Sequence, residues 1–573
     1  MAKTIKHDIL ILGTGLAGLR AALEVFRVSK GKLSVGVISK VQIMRSHSVC
    51  AEGGTAAALR PEEGDSPELH AWDTVKGSDF LADQDVVKRF VDEMPGEILQ
   101  MDRWGIPWSR RPDGRIDQRP FGGHSFPRAV YAADKTGFFE MQTLYDTLLK
   151  HENFKRYDEW FVTKFIVENG EFKGLTAIEM ATGEMAAFSA KCVVVATGGA
   201  GRMFGFTTFS HAITGDGIAM AYRAGVPIKD LEFMQFHPTG LVPNGILMTE
   251  ACRGEGGYLR NSKGERFMEK YAPKLLELAP RDIVARSIMT EILEGRGFTG
   301  PKGLDFAHLD LTHLGREKIN ERLPLIREVC LKFLGLDPID KPIPIRPVQH
   351  YTMGGIHVDI NGASPVKGLF AAGEAACLSL HGANRLGANS TAECLVWGKV
   401  TGAGAAERAL SDKGIPDLPA APVKEEEKRI FDDILKRPAG SENLYAIRSE
   451  TRVTMDRNLG VYRKAEGIKA ALEKIRELQG RFEGVGVEDK SRVYNTQLLN
   501  YLELDFSLEL SEILVMGALA REESRGGHAR TDFPKRNDER FLQHTLADRT
   551  EKGPQLSYKP VAIKMWKPVE RKY

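Results

Sequence analysis

The chain has 573 residues, more than one hydrophobic core usually supports, so several compact units are expected. Its composition is that of an ordinary soluble protein, and a formal net charge of +2 excludes the strongly basic surface typical of nucleic-acid binding. No apolar run reaches the roughly 18 to 20 residues that cross a bilayer, and the first strand begins at once, so the sequence predicts a cytoplasmic protein without a membrane span or leader peptide.

The first predicted element is a buried strand, Ile9 to Leu12, followed by a glycine-rich turn and an amphipathic helix. The turn has the spacing of a dinucleotide-binding motif, formed by Gly13, Gly15 and Gly18. Glycines permit a tight turn here, and the free N–H groups of a helix N-terminus bind a pyrophosphate. The next strand ends in Ser39 and Lys40 instead of an acidic ribose ligand, which argues against NAD and for a different dinucleotide.

Two later apolar strands end in glycine, "CVVVATGGAG" near residue 195 and "KGLFAAGEAA" near residue 370. Their distance from the first strand predicts a nucleotide-binding domain that is split by an insertion. The insertion is rich in His, Arg and Gly, as in "QFHPTG", "TEACRGEGG" and "APRDIV", which indicates a cap that carries a site. The predicted units are a split nucleotide-binding domain at 1–235 and 346–410, a capping domain at 236–345, a helical domain at 420–535 and a C-terminal domain at 536–573.

The predicted helical domain rests on the apolar spacing that follows the Pro- and Ala-rich segment "GIPDLPAAPVKEEE". One helix face is formed by Ile468, Ala471, Leu472, Ile475 and Leu478. Gly480 is predicted to end that helix. The tail after residue 536 is polar and has too little periodicity to predict its elements.

Several motifs accompany the three glycine-ended strands: "SHSVCAEGG", "HPTG", "RGEGG", "HYTMGG" and "HGANRLGANS". Together they resemble the flavoprotein subunit of succinate dehydrogenase and fumarate reductase, and the match runs from the first strand to "SRGGHARTDFPKRND" near residue 535. The resemblance implies an α/β fold, with a Rossmann-like FAD-binding domain split by an α+β capping domain, then a helical bundle domain and a small C-terminal domain. This order agrees with the units predicted from the residues.

The resemblance implies FAD as the cofactor, bonded covalently to the histidine of the "RSH" motif, which is His47. An electron-withdrawing attachment makes the flavin easier to reduce, and succinate is a poor reductant that needs an oxidising acceptor. The other positions that match FAD contacts of the family are Gly13, Gly15, Gly18, Ser39, Lys40, Ser46, Gly53, Gly54, Asp216, Glu374 and Ser390. For the glycines the alternative is plain turn formation, and for Asp216 and Glu374 it is helix capping.

The implied substrates are succinate and fumarate, whose carboxylates need cationic and hydrogen-bonding groups at both ends. The resemblance assigns carboxylate binding to His237, Thr249, His350 and Arg385, and packing beside the substrate to Phe121. It assigns proton transfer to Arg281 and a relay toward solvent to Glu250 and Arg253. Because arginine holds its proton tightly in water, this role requires a dry site. A structural hydrogen bond is the alternative for each of these residues.

Electrons must leave the flavin, and the six scattered cysteines contain no CxxC pair that would hold an iron-sulfur cluster. The resemblance therefore implies a separate iron-sulfur subunit, and through it a membrane anchor that reacts with quinone. The chain is predicted to be a peripheral subunit at the cytoplasmic face of the membrane. Neither a metal site nor a nucleic-acid partner is predicted for it.

Two residues beside the implied site lead to separate hypotheses. Glu52 of "AEGG" matches the Glu of fumarate reductases, where succinate dehydrogenases of the family have Gln, and this favours reduction as the direction. A charge at that position would alter the potential of the flavin. Cys252 directly precedes Arg253, and we hypothesise that thiol reagents partly inactivate the protein unless a dicarboxylate protects it. The alternative for Cys252 is a small buried filler.

Other flavoenzymes and one non-enzymatic class compete with this interpretation. L-aspartate oxidase lacks the flavin-linking histidine and adenylylsulfate reductase lacks the dicarboxylate set, so His47, His237, His350 and Arg385 argue against both. A soluble fumarate reductase typically carries its own haem or flavin domain, and no CxxCH occurs here. A non-catalytic flavin carrier needs no proton-transferring arginine, so succinate oxidation with an artificial dye would exclude it.

Overall fold

A parallel five-stranded sheet forms the centre of the fold in the computed structural model, which describes residues 3–412, 414–438 and 440–572. In sheet order the strands are Leu369–Ala371, Cys192–Val195, Ile9–Leu12, Val35–Ser39 and Phe154–Asp158. The three inner strands are buried along their whole length, as parallel strands covered on both faces are. The first predicted strand therefore lies in the middle of the sheet.

The split of the nucleotide-binding part is visible in the pairing of these strands. Val193 pairs with Leu369 on one side and with Leu10 on the other. Residues from distant parts of the chain therefore share one sheet. Because parallel strands end at the same edge, the turns that follow them meet there, and this edge carries the main cavity.

Helices and two smaller sheets surround the central sheet. The helices are Leu16–Ser29, Pro67–Gly77, Gln84–Arg103, Thr136–Leu148, Asp216–Arg223 and Asn389–Ser411. One sheet has the order Lys3–Lys6, Glu184–Ser189, Glu171–Glu179 and Trp160–Glu168, and the other has the order Thr55–Ala56, Ala129–Val130 and Gln118–Arg119. The helices that begin at residues 16 and 389 pack against each other, and both begin at the cavity edge.

The insertion folds around an antiparallel sheet in the order Met234–Leu241, Ile343–Thr352, Ala307–Asp310 and Tyr258–Arg260. Its helices are Ala251–Gly254, Met268–Tyr271, Arg281–Glu291, Arg316–Arg322 and Pro324–Leu334. Residues 236 and 345, the predicted limits of the capping domain, both fall inside strands of this sheet. The domain limits stay a prediction.

The next part of the chain is helical, with Ala420–Lys428, Leu444–Asn458, Ala465–Phe482 and Thr496–Ala520. Gly480 does not end its helix, because the helix continues to Phe482, whose ring packs on Tyr501 with centroids 4.4 Å apart. The predicted apolar face is buried except for Leu472, which is half-buried. None of the helices in the described part of the chain combines the length and the apolar character that crossing a bilayer requires.

The C-terminal tail, for which the sequence predicted no elements, forms a short helix, Asp538–Phe541. It is followed by a hairpin of the strands Gln543–Thr550 and Gly553–Pro560. The hairpin extends a sheet that contains Ile228–Lys229, Gly355–His357 and Ala376–Cys377. Buried His544 lies 2.6 Å from Asp230 and 3.2 Å from Asp83. The predicted C-terminal domain thus shares a sheet and an ionic cluster with earlier parts of the chain.

Candidate active site

A cavity of about 440 Å³ opens where the turns at the edge of the central sheet meet the inserted sheet. Most of the predicted site residues line it: Gly13, Gly15, Ser39, Lys40, Ser46, His47, Gly53, Gly54, Phe121, Asp216, His237, Thr249, Glu250, Arg281, His350, Glu374, Arg385 and Ser390. Gly18 and Arg253 do not line it. Residues from position 13 to position 390 therefore meet in one place.

Three helix N-termini converge on this cavity, at Leu16, Asp216 and Asn389. Residues of all three first turns, among them Ala17 and Ser390, line its wall. In none of the three does the N-cap side chain bond to the first turn. Because N–H groups at helix N-termini attract anions, this wall fits a ligand that carries phosphate groups.

The glycine turn at the start of the first helix brings the backbone close to the same wall. Gly13 has a φ of +106°, and a Cβ atom on it would lie 2.2 Å from the carbonyl oxygen of Ala196. A Cβ atom on Gly18 would lie 2.1 Å from the carbonyl oxygen of Gly13. Gly18 thus acts behind the cavity by letting the helix approach the turn, while Gly13 lets the turn approach the backbone at Ala196. This arrangement fits a dinucleotide.

Lys40 and Asp216 form an ion pair in the cavity wall. Lys40 Nζ donates hydrogen bonds to Asp216 at 2.6 Å, to Thr214 at 2.7 Å and to Glu503 at 2.9 Å. Three bonds use all the hydrogens of an ammonium group. The charge of Lys40 is therefore compensated by the protein, and cofactor contact by Lys40 and Asp216 stays a prediction.

His47 lies at the edge of the cavity with one ring nitrogen in use. The backbone N–H of Ser210 donates to His47 Nδ1 at 3.4 Å, and the ring stacks on Phe209 with centroids 5.2 Å apart. Because Nδ1 accepts, Nε2 is the nitrogen left for another bond. Burial and the nearby Arg202 lower the pKa of His47 to about 4, so its imidazole is neutral at neutral pH.

Arg281 begins a helix of the insertion, and its buried side chain is paired with Glu250. Its Nε donates to Glu250 at 2.7 Å, and its Nη1 donates to Gln235 Oε1 at 3.2 Å. Glu250 also accepts the backbone N–H of Gly122 at 2.7 Å, and Arg253 Nη2 lies 3.7 Å from it. Burial opposes ionisation of Glu250, but Arg281 and Arg253 outweigh it and lower the pKa to about 2. Glu250 is therefore a carboxylate between two guanidinium groups.

His237 and His350 lie next to each other in the cavity wall, with ring centroids 5.0 Å apart. The backbone N–H of Thr239 donates to His237 Nδ1 at 3.2 Å, whereas the buried Nε2 has no partner. Burial and the charge of Arg281 lower the pKa of both histidines well below the usual range, so both rings are neutral. A neutral His237 ring therefore carries its hydrogen on Nε2, where it can donate to a carboxylate.

Arg385, Thr249 and Phe121 complete this part of the wall, and all three are buried. Arg385 Nη1 donates to Ser390 Oγ at 3.0 Å, and its buried Nε has no partner. A Cβ atom on Gly53 would lie 2.7 Å from the Phe121 ring, so the glycine leaves that ring its place. Cations, neutral donors and an apolar ring thus surround one space, which suits a small dicarboxylate.

Comparison with known proteins assigns the chain to a family. The family described as "FAD binding domain" matches residues 8–391, and the family described as "Fumarate reductase flavoprotein C-term" matches residues 448–573. The fumarate reductase flavoprotein subunit of Mycobacterium tuberculosis is 46% identical over 584 aligned positions that cover all of both chains. The chain belongs to the family of fumarate reductase and succinate dehydrogenase flavoprotein subunits. Its predicted cofactor, FAD, is confirmed.

Two further comparisons extend this flavoprotein assignment. The succinate dehydrogenase flavoprotein subunit of Rickettsia bellii is 43% identical and aligns with 97% of this chain and 96% of its own. A solved quinol fumarate reductase chain of Escherichia coli is 44% identical, covers 99% of both chains and has a TM-score of 0.96. The predicted fold class and family are therefore confirmed.

The flavoprotein site also contains residues that the sequence did not single out. Gln235 Nε2 donates to the backbone carbonyl of Arg385 at 2.6 Å, and Thr208 Oγ1 lies 2.8 Å from His350 Nδ1. Tyr351 lies beneath the guanidinium of Arg385. Gln235 and Tyr351 are close neighbours of the motif histidines in "QFHPTG" and "QHYTMGG", so their place in these motifs could have indicated a role in the site. Thr208 belongs to no motif, so nothing local pointed to it.

The surroundings of Glu52 in the flavoprotein disfavour the charge that was predicted for it. Its side chain is buried, and Oε2 has no hydrogen-bond partner. Burial and the neighbouring Asp134 raise the pKa of Glu52 well above its usual range. Burial thus disfavours the charged form of Glu52, which weakens the electrostatic argument that the Glu in "AEGG" favours fumarate reduction over succinate oxidation.

Cys252 is fully buried, which argues against its predicted reactivity. Burial raises the pKa of its thiol well above the usual range, with Glu52 adding to the effect, so little thiolate forms. Cys50, in contrast, is exposed at the cavity edge. The structure supports the alternative reading of Cys252 as a small apolar filler.

We expect iodoacetamide to leave Cys252 unmodified in the native flavoprotein and to label Cys50 first, because a reagent must reach a thiol to alkylate it. Peptide mass spectrometry after a time course measures both sites. Any loss of activity should persist in a Cys252→Ala variant and disappear in a Cys50→Ser variant. Protection of activity by Cys252→Ala alone would contradict this expectation and restore the original hypothesis.

Proposed function

We propose that this flavoprotein subunit interconverts succinate and fumarate in the cavity at the edge of its central sheet. The observation that carries the proposal is the grouping of Arg281, Arg385, His237 and His350 around the cavity whose helix N-termini fit FAD. Two guanidinium groups and two neutral donors match the two carboxylates of a short dicarboxylate. The printed names of its relatives, fumarate reductase and succinate dehydrogenase, support the same substrates.

In this proposal His237, Thr249, His350 and Arg385 hold the two carboxylates, and Phe121 packs beside the carbon chain. The neutral histidines contribute hydrogen bonds, so Arg385 supplies most of the charge. Because these groups are buried, their interactions with a carboxylate are stronger than at an exposed surface. Positive charge held at one carboxylate withdraws electrons from the alkene, which makes fumarate easier to reduce and stabilises the transition state.

Arg281 exchanges the proton in the proposed reaction. It lines the cavity, and its 2.7 Å bond to Glu250 fixes the direction of the guanidinium. In fumarate reduction Arg281 gives a proton to one alkene carbon and regains it through Glu250 and Arg253, and succinate oxidation runs the same path in reverse. Arg253 lies behind the cavity, where its Nη1 donates to the backbone carbonyl of Glu277 and its Nη2 is ion-paired with Glu250 at 3.7 Å without a hydrogen bond. Its position suits proton transfer between Glu250 and the outer part of the insertion.

FAD supplies the two-electron centre of this reaction when it is bound. The chain residues proposed to hold it are Gly13, Gly15, Gly18, Ser39, Lys40, Ser46, Gly53, Gly54, Asp216, Glu374 and Ser390. We infer a covalent bond to His47 at Nε2, because Nδ1 accepts the backbone N–H of Ser210. A bond at Nε2 replaces the hydrogen there and leaves that acceptor unchanged.

The proposed partners are an iron-sulfur subunit, a membrane anchor bound through it, and quinone as the distant redox partner. The similarity to a protein described as a quinol fumarate reductase supports them, as does a sequence in which no CxxC pair occurs. In such an assembly this chain is a peripheral subunit at the cytoplasmic face of the membrane.

One preparation tests substrate, direction and partner together. The FAD-loaded protein is purified with whatever co-purifies, and succinate oxidation and fumarate reduction are measured first with artificial dyes and then with quinone analogues of low and high potential. We expect both dye-coupled reactions, and quinone-coupled rates only when a second subunit is present. L-aspartate serves as the control substrate and should not be oxidised. Flavin-loaded protein without either dye-coupled activity would contradict the proposal and favour a flavin carrier.

A further inference from the structure

Arg385 is a buried cation without a counter-ion. Its guanidinium has one side-chain bond, from Nη1 to Ser390 Oγ, and no described carboxylate forms an ion pair with it. Burial raises the pKa of the nearby Glu374 to about 8, so that carboxyl is neutral at neutral pH and does not supply the missing charge. A buried charge normally requires compensation, so something else must hold Arg385 in place.

The ring of Tyr351 provides that support. Arg385 Cζ lies 4.2 Å from the centroid of the Tyr351 ring, within the range of a cation–π interaction. The ring itself is locked, because its hydroxyl donates to Glu393 Oε2 at 2.9 Å and lies 3.3 Å from His381 Nε2. His381 Nε2 in turn lies 2.9 Å from the same Glu393 oxygen. Tyr351, His381 and Glu393 are all buried.

We propose that Tyr351 is a positioning residue for the proposed dicarboxylate site: its ring, locked by Glu393 and His381, holds Arg385 charged and aimed into the cavity without neutralising it. The inference rests on the proposed function, because it assigns Arg385 to a substrate carboxylate. A carboxylate partner would bond to the guanidinium and compete with the substrate. An aromatic face attracts the cation from below and leaves its N–H groups free.

The two active-site arginines differ in the group that supports their guanidinium. Arg281 is paired with the carboxylate of Glu250, which suits a group that must exchange a proton along a relay. Arg385 rests on a ring and keeps its net charge. The same cavity thus holds one arginine with its charge compensated and one with its charge available, and the supporting residue makes the difference.

The test measures binding of malonate, a dicarboxylate that is not turned over, by the change it causes in flavin absorbance of the FAD-loaded protein. Tyr351→Phe keeps the ring, and its affinity should stay within about threefold of the wild type. Tyr351→Leu and Tyr351→Met, a branched and an unbranched apolar replacement, remove the aromatic face, and we expect about 10- to 30-fold weaker binding. Two variants without a ring ensure that at least one folded, flavin-loaded protein is available for the comparison.

Phe506→Leu is the matched control, because it removes another buried ring from beneath an arginine, Arg223, at 4.7 Å and away from the cavity. It should bind malonate as the wild type does. Unchanged affinity in Tyr351→Leu or Tyr351→Met would overturn the inference while leaving the proposed function intact. Equal loss in Tyr351→Phe would overturn it too, since the hydroxyl and not the ring would then be responsible. A wild type that does not bind malonate would overturn the proposed function and the inference together.

Discussion

Arg281→Gln is expected to lower both succinate oxidation and fumarate reduction by at least about 1,000-fold, while the flavin stays attached. Glutamine retains hydrogen-bonding groups near Glu250 and Gln235, but it has neither the charge nor a transferable proton. The dye-coupled rates measure the loss in both directions. Flavin fluorescence of the denatured chain on a gel shows whether the cofactor remains bound.

Arg286→Gln is the control for this variant, because Arg286 lies on the same helix, is partly exposed and donates to Asp282 and to the backbone of Gly526. It should keep nearly full activity. Arg281→Lys tests charge separately from geometry: a lysine restores the cation but not the two-pronged contact, so partial recovery is expected at most. Substantial turnover in Arg281→Gln would remove Arg281 from its proposed role and direct attention to His237 or His350.

His47→Ser is expected to abolish covalent attachment of the flavin. The wild-type chain should fluoresce on a denaturing gel, and the variant should not, although it should still bind FAD, because the helix N-termini and glycine turn that line the cavity are unchanged. Without the electron-withdrawing bond the flavin is harder to reduce, so succinate oxidation should fall more than fumarate reduction. A redox titration of the bound flavin measures the cause directly.

His211→Ser is the control for the attachment, since His211 is an exposed histidine directly after Ser210, the residue that bonds to His47. Its fluorescence on the gel should equal that of the wild type. Release of free flavin when the wild-type protein is denatured would show that no covalent bond exists. In that case the RSH motif would have a packing role, with His47 stacked on Phe209.

Local patterns in the sequence were enough to predict the parts of this protein that depend on the backbone. The turn at Gly13 and Gly18 follows from spacing, because a Cβ atom on Gly18 would meet the carbonyl of Gly13 only five residues away. The buried strands also follow from short apolar runs. The end of the helix near Gly480 was predicted wrongly, since the contact between Phe482 and Tyr501 joins two helices and no local signal reports it.

The sequence by itself therefore determined the fold class, the family and the cofactor of this protein, since each rests on residues whose meaning depends on near neighbours in the chain. Only the tertiary structure decided the state of individual side chains. Ionisation of Glu52 is disfavoured because folding buries it beside Asp134, and Cys252 is shielded because the same fold covers its thiol. The guanidinium of Arg385 lies 4.2 Å from the centroid of the Tyr351 ring because folding brings these two distant positions together. Protonation, reactivity and charge depend on burial and on groups that are distant along the chain, and spacing in the sequence records neither.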